Sequence, residues 1–245
     1  MDARAYTLMA ELEAEHWWYR GRRALIRRLL ARLELPERAR LLDVGCGTGG
    51  NLSLLDERGR GFGVEPSDLG CLLGAATWRG RVACGRATEL PFDDETFDVV
   101  AALDVLEHVH NDLDALDEFQ RVLQPGGHVV IHAPAFPFLW GHEDRISKHL
   151  RRYTAAQIRR LLEAAELKPV HVGYATTLLF PVVAAVKMAK RLLVGGSKAV
   201  SDVARLPPAW LNEFLTTLLE AEAEIAATAE LPFGASVVAL ARKQY

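Results

Sequence analysis

From residue 40 onward, short apolar runs alternate with segments whose apolar residues recur at helical spacing. The runs ARLLDV (39–44), GFGVE (61–65), RVACG (81–85), FDVVAAL (97–103), GHVVIHA (127–133) and KPVHVGY (168–174) predict six strands. Between them GGNLSLLDERG (49–59), SDLGCLLGAATWRG (67–80), NDLDALDEFQRVL (111–123) and TAAQIRRLLEAA (154–165) predict helices. Ser67, Asn111 and Thr154 stand at N-cap positions, where a side-chain oxygen accepts from an unpaired N–H of the first turn. ASVVALAR (235–242) predicts a seventh strand. Strands alternating with helices imply an α/β architecture, a doubly wound and mostly parallel sheet with helices on both faces.

Two segments lie outside that alternation. Residues 1–38 predict an N-terminal helical lid, and 176–233 a helical insertion before the last strand; the sheet domain then comprises 39–175 and 234–245. The most apolar stretch, TTLLFPVVAAVKMAKRLLV (176–194), is interrupted by Lys187, Lys190 and Arg191 and carries Pro181 near its start. It falls short of the ~20 apolar residues a spanning helix needs. Peripheral contact with a membrane surface, a cap over the site and a homodimer face are the roles it fits. A Gly-Gly-Ser break follows at 195–197, and Pro207-Pro208 suits a new helix start, where a missing N–H is harmless.

Half of the 245 residues are hydrophobic and the formal charge is −3, so nothing favours charge-driven nucleic-acid binding. Cys46, Cys71 and Cys84 form an odd set without a C-x-x-C pair; a disulfide framework or structural zinc is not expected, and a reducing cytoplasm fits. The N-terminus lacks the uninterrupted apolar core of a signal peptide.

The candidate chemistry starts at LLDVGCGTGG (41–50), a strand running into a glycine loop. Gly45, Gly47 and Gly50 have dinucleotide-site spacing, and Glu65, twenty positions after Gly45, ends the second strand where a carboxylate can accept from a ribose diol. Both features suit a nicotinamide dinucleotide or S-adenosylmethionine. Asp43 separates them: it would repel a pyrophosphate, whereas it favours an ammonium and a sulfonium. The alternative is that Asp43 pins the loop through backbone hydrogen bonds.

DVGCGTG (43–49), GVEPS (63–67), ATELPFDDETFDVV (87–100), LDVLEHV (103–109) and VLQPGGHVVI (122–131) resemble, in order, the motifs of class I S-adenosylmethionine-dependent methyltransferases. The resemblance covers roughly 40–134 and implies a Rossmann-like seven-stranded sheet with its last strand antiparallel. By the same resemblance Asp43, Gly45, Cys46, Gly47 and Gly49 line the methionine end of the donor. Glu65 takes the ribose hydroxyls, Pro66 and Ser67 lie against adenine, and Leu103, Asp104 and Leu106 follow the fourth strand beside the ligand. Where relatives carry Gly-Asp-Ala, this chain has Gly85-Arg86-Ala87, and Arg86 accepts no hydrogen bond. A backbone carbonyl replaces that contact, or Arg86 stacks on adenine, or adenine is held differently.

Upstream, EHWWYRGRR (15–23) predicts a helix. Trp18, Tyr19 and Arg22 either pack it on the sheet or close it over the donor, with an arginine clamping the methionine carboxylate. The HWWYRGRR and HLRRY (149–153) signatures resemble a bacterial subgroup, type 11/12-like, linked to glycan, lipid or secondary-metabolite synthesis. His142, Glu143, Asp144 and His149 match no specific metal spacing; the reading is a polar loop and no metal. His108 is the first candidate for a general base, its alternative being a histidine that shapes the cofactor pocket. His142, His149 and Tyr153 follow as catalytic candidates. Arg151 and Arg152 either receive an anionic acceptor or form exposed charge pairs.

The reading is an enzyme that moves a methyl group from S-adenosylmethionine to a small-molecule or glycan- or lipid-linked acceptor, leaving S-adenosylhomocysteine. Its rivals are a non-methylating displacement that releases methylthioadenosine, and a nicotinamide-binding module.

Overall fold

The computed structural model describes residues 12–193 and 206–244. The first eleven residues of the expected lid, the end of the 176–194 stretch and its Gly-Gly-Ser break lie outside the described residues. Seven strands, β1 (Arg40–Val44), β2 (Arg60–Glu65), β3 (Val82–Cys84), β4 (Phe97–Leu103), β5 (Leu123–Pro134), β6 (Leu167–Ala175) and β7 (Ser236–Lys243), form one sheet in the order β3-β2-β1-β4-β5-β7-β6. The first five run parallel, and β7 inserts antiparallel between β5 and β6. This is the Rossmann-like α/β sheet that the strand pattern predicts.

The central strands β1, β4 and β7 bury both faces, which explains their continuous apolar runs, whereas the edge strand β3 is only partly covered. In β1, Leu42 and Val44 join a core with α4 (Asp112–Val122) and α6 (Ala155–Ala164) through Leu116, Phe119, Ile158 and Leu162. Leu41 joins the opposite core with α1 (Trp17–Ala31) through Leu25, Ile26, Leu29 and Leu30. α8 (Ala209–Thr228), from the expected insertion, adds Ala223, Ala226 and Ala227 to that second core.

The caps read from sequence form at two of three helices. Thr154 Oγ1 accepts from Gln157 N–H at 3.3 Å and Gln157 Oε1 accepts in return from Thr154 N–H at 2.8 Å. Ser67 Oγ accepts from Gly70 N–H at 3.5 Å and opens α3 (Asp68–Thr77). Asn111 holds the N-cap position of α4 without a side-chain bond.

Three expectations are corrected. The helix expected over 49–59 contracts to α2 (Leu52–Leu55), because Gly49 and Gly50 belong to the loop that precedes it. β5 starts at Leu123, not 127: the chain passes through Pro125-Gly126-Gly127 as a strand, with a register shift against β4. Cys71 of α3 and Cys84 of β3 are disulfide-bonded across Cα atoms 5.7 Å apart, and Cys46 is free and buried. Their separation of 13 residues gives no local signal.

α7 (Phe180–Leu193) follows β6, and Glu222 of α8 holds the approach to it by accepting from the N–H groups of Thr177 at 2.9 Å and Leu178 at 2.8 Å. Among the described residues no helix is long and apolar enough to cross a membrane.

α1 and α8 lie against each other. Trp17 N–H donates to Asn212 Oδ1 at 2.9 Å, Asn212 Nδ2 returns to Glu15 O at 2.9 Å, and Arg20 pairs with Glu213 at 2.5 Å. Gly21 permits this approach, since a Cβ there would overlap Leu219. Gly21→Val should therefore lower the unfolding free energy by about 1–3 kcal/mol, read from urea midpoints. An unchanged midpoint would show that the helices do not touch at that point.

Candidate active site

Strand order reverses between β1 and β4, which opens a crevice beyond their carboxyl ends. Into it runs the loop after β1, with Gly45, Gly47 and Gly49 at φ of 69°, 56° and 88°. These are left-handed conformations that glycine adopts without steric penalty. The N–H groups of Gly45 and Cys46 both donate to Val64 O, at 2.8 and 3.1 Å, and tie the loop to β2.

The rim of this cradle is acidic. Glu65, buried at the end of β2, accepts from Gly47 N–H at 3.0 Å through one oxygen and from Ser67 N–H at 3.1 Å through the other. Asp43 is 1% exposed, and its hydrogen bond comes from Asn51 Nδ2 at 3.1 Å, a side chain and not the loop backbone. Burial pushes the Asp43 carboxyl up to about 7. Asn51 Oδ1 is buried beside it and makes no hydrogen bond among the described residues. Glu13, absent from the sequence expectations, packs against Gly50 and accepts from Thr48 Oγ1 at 3.2 Å; burial raises its carboxyl too. No regular spacing links Glu13 to the loop, so only the fold reveals it.

Trp18, Tyr19 and Arg22 do converge on the crevice. Arg22 Nη1 donates to Asp104 Oδ2 at 2.5 Å, its guanidinium lies 5.4 Å from the Tyr19 ring centre, and Trp18 meets His132 edge-on at 6.0 Å. His132 Nδ1 lies 2.8 Å from Asp104 Oδ1. Burial disfavours ionised Asp104, but His132 and Arg22 outweigh it and hold the carboxyl well below the usual range. Asp104 is thus the joint between α1, the end of β4 and β5. It takes the αL conformation at φ 60°, and its N–H donates to His132 O at 2.8 Å.

The remaining donor-side residues are placed as follows. Leu103 and Leu106 are buried behind the crevice, and burial raises the Cys46 thiol, leaving it protonated. Pro66 is exposed beside Ser67. Ala87 packs on the core, while Arg86 is exposed and its carbonyl accepts from Glu89 N–H at 3.0 Å.

On the acceptor side a 3₁₀ turn, Leu106–His108, follows β4. His108 keeps part of its surface in solvent, yet the surrounding protein desolvates its ring and, together with His149, lowers it to about 4, so it is neutral at pH 7. His149 comes from the loop after α5 (His142–Ile146), and its ring stands 4.8 Å from His108, nearly perpendicular. His142 is exposed on the first turn of α5. Tyr153 is buried, with its hydroxyl 2.9 Å from Asp112 Oδ2 and 3.0 Å from Leu106 O; burial raises it well above the ordinary phenol value. That geometry makes Tyr153 a strut between α4 and the 3₁₀ turn. Arg151 donates to Asp112 at 2.9 Å and Arg152 to Asp144 at 2.7 Å, so both adjacent arginines form ion pairs. The expected polar loop also contains a buried hub, Asp144, which accepts from Arg152, His149 and Gly141 N–H.

A switch-point crevice and a glycine loop after the first strand of a seven-stranded sheet are features of the Rossmann-like methyltransferase fold. Residues 17–172 match a methyltransferase-domain family, and the chain belongs to that family. A probable S-adenosylmethionine-dependent methyltransferase of Mycolicibacterium smegmatis is 30% identical over 158 residues, covering 63% of this chain and 60% of its own length. The chain spans less than two thirds of the length of the first curated relatives it matches. Among solved structures, the complex between the Haloferax volcanii Trm112 methyltransferase activator and a methyltransferase superposes with a TM-score of 0.63 at 18% identity, over 96% of this chain and 93% of that one. Geranyl diphosphate methyltransferase with GPP and sinefungin gives 0.56 at 18% identity, over 88% and 75%. S-adenosylmethionine is the family's cofactor. The cradle fits it: the buried carboxyl groups of Glu13, Asp43 and Glu65 border a loop that glycine lets a ligand approach.

Asp104→Asn leaves Arg22 buried without its counter-charge, and should cost about 3 kcal/mol of unfolding free energy. The folded Asp104 is depressed, so its contribution is complete above the unfolded value near ~4 and fades as pH falls below it. Denaturation curves of wild type and variant should therefore converge in acid. Equal stability at pH 7 would contradict the assigned joint.

Proposed function

We propose that this protein transfers the methyl group of S-adenosylmethionine to a small-molecule or lipid-linked acceptor and releases S-adenosylhomocysteine. One observation carries the reading: the buried carboxyl groups of Glu13, Asp43 and Glu65 are gathered around the glycine cradle. A pyrophosphate would meet repulsion there, and a sulfonium with an ammonium meets attraction.

In this reading Gly45, Cys46, Gly47 and Gly49 receive the methionine end with Asp43. Glu65 accepts from the ribose hydroxyls, which displace its two backbone donors. Pro66, Ser67, Arg86 and Ala87 border the adenine, and Trp18, Tyr19 and Arg22 close the crevice from above. Transfer is an in-line displacement: an acceptor lone pair forms the bond to the methyl carbon while the carbon–sulfur pair returns to sulfur. The protein's part is alignment and field. His108, neutral and at the end of the 3₁₀ turn, contacts the acceptor, with His142 contributed by the first turn of α5. Val182, Val186 and Met188 on α7 are exposed and support an acceptor with an apolar portion or contact with a membrane surface.

Glu65→Ala should weaken S-adenosylhomocysteine binding about 10- to 150-fold, the loss of charge-assisted hydrogen bonds worth roughly 1.5–3 kcal/mol. Calorimetry checks this, and an unchanged affinity would remove Glu65 from the ribose site. Mass spectrometry of S-adenosylmethionine turned over by the protein with candidate acceptors should show S-adenosylhomocysteine. Release of methylthioadenosine would replace methyl transfer by a displacement at the methionine side chain.

A further inference from the structure

Glu107 is the buried acid that the donor site does not use. Its side chain has no exposed surface, and neither carboxylate oxygen makes a hydrogen bond among the described residues. A carboxylate in that position is costly unless something positive answers it. The two arginines whose charge reaches it are engaged elsewhere, Arg22 by Asp104 and Arg152 by Asp144 and Ala135 O.

What faces Glu107 is a pair of imidazoles. His149 Nε2 lies 4.0 Å from Glu107 Oε1, and one ligand atom each from Glu107, His108 and His149 fall within 4.8 Å of one another. The opposite nitrogen of His149, Nδ1, is 2.9 Å from Asp144 Oδ1. Asp144 also accepts from Arg152 Nε and from Gly141 N–H, both at 2.7 Å, and as an acceptor among those donors it takes a further hydrogen bond from a proton on His149 Nδ1. The lone pair of His149 is thereby fixed on Nε2, toward Glu107. A carboxylate that orients the far nitrogen of an imidazole in this way is the outer shell of metal-binding histidines.

We propose that Glu107, His108 and His149 bind one divalent first-row transition cation, such as zinc, at the acceptor edge of the donor crevice. Two imidazoles and one carboxylate suit such an ion better than magnesium or calcium, which prefer oxygen. Ligands about 2.0–2.2 Å from an ion stand roughly 3–4 Å apart, so small side-chain adjustments bring the three donors into range. Three protein ligands leave a position open for the acceptor. An acceptor hydroxyl there would release its proton to solvent more readily, and its oxygen would then take the methyl carbon as the carbon–sulfur pair returns to sulfur. This catalytic use rests on the methyltransferase reading; the binding of the ion does not.

The site is tested on chelator-stripped full-length protein. Zinc and magnesium are titrated by calorimetry, and cobalt by its visible absorption, against wild type, Glu107→Gln, His149→Asn and His110→Ala, an exposed histidine outside the cluster. The expected result is one zinc or cobalt per chain, with weaker magnesium binding. Glu107→Gln and His149→Asn should each lose at least ~10-fold in zinc affinity, and His110→Ala none. Absence of stoichiometric zinc and cobalt binding, or wild-type affinity in both cluster variants, overturns the proposal. Should Glu107→Gln lose its native circular dichroism, the His149→Asn titration decides alone. S-adenosylhomocysteine titrated into the same stripped samples separates the two readings: donor binding without zinc binding removes the metal site only, and zinc binding without donor binding removes the methyltransferase reading only.

Discussion

Carboxylates withdrawn from water at the carboxyl edge of a parallel sheet are the constraint around which this molecule is organised. Glu13, Asp43, Glu65, Glu107 and Asp144 are all buried there, against two buried arginines, Arg22 and Arg152. A buried charge must be paired, hydrogen-bonded or protonated. Asp104 and Asp144 solve this with an arginine and a histidine each. Glu65 solves it with two backbone amides. Asp43, with one amide donor, and Glu107, with no hydrogen-bond partner among the described residues, do not, and both are raised by burial. The positions left unanswered are those where a cation from outside gains most.

The architecture decides where that imbalance falls. Reversal of strand order between β1 and β4 keeps the connecting chains clear of the crevice and leaves room for a ligand. α1 then crosses the sheet end with its apolar face on the core and Arg22 reaching Asp104, so the helix that covers the crevice is anchored by a group inside it. α8 fixes α1 from the other side, through Gly21 and Asn212. Packing and charge therefore act on the same helix, and a change in one is felt in the other.

Much of this was legible in the sequence. Period and punctuation locate the strands to within a few residues, because both faces of the central strands are buried and glycine or proline interrupts the runs. Asp43, Gly45, Gly47 and Glu65 were legible because one local loop and the strand beside it bring them together. The rest depends on distance along the chain. His149 reaches Glu107 from forty-two positions away, and Asp104 meets His132 across 28. Glu13 acquires meaning only when the N-terminal segment folds over Gly50. No periodicity encodes such meetings; strand order and loop path create them.

The central claim, that this crevice selects a cationic donor through buried carboxylates, is tested most directly by the pH dependence of donor binding. Asp43 in the free protein ionises at about 7, and an ammonium and a sulfonium bind its ionised form better. Calorimetric affinity for S-adenosylmethionine should therefore rise as pH passes upward through 7, and Asp43→Asn should flatten that rise. A wild-type affinity that stays constant across the range, or tighter binding of a nicotinamide dinucleotide to the same crevice, would contradict the account.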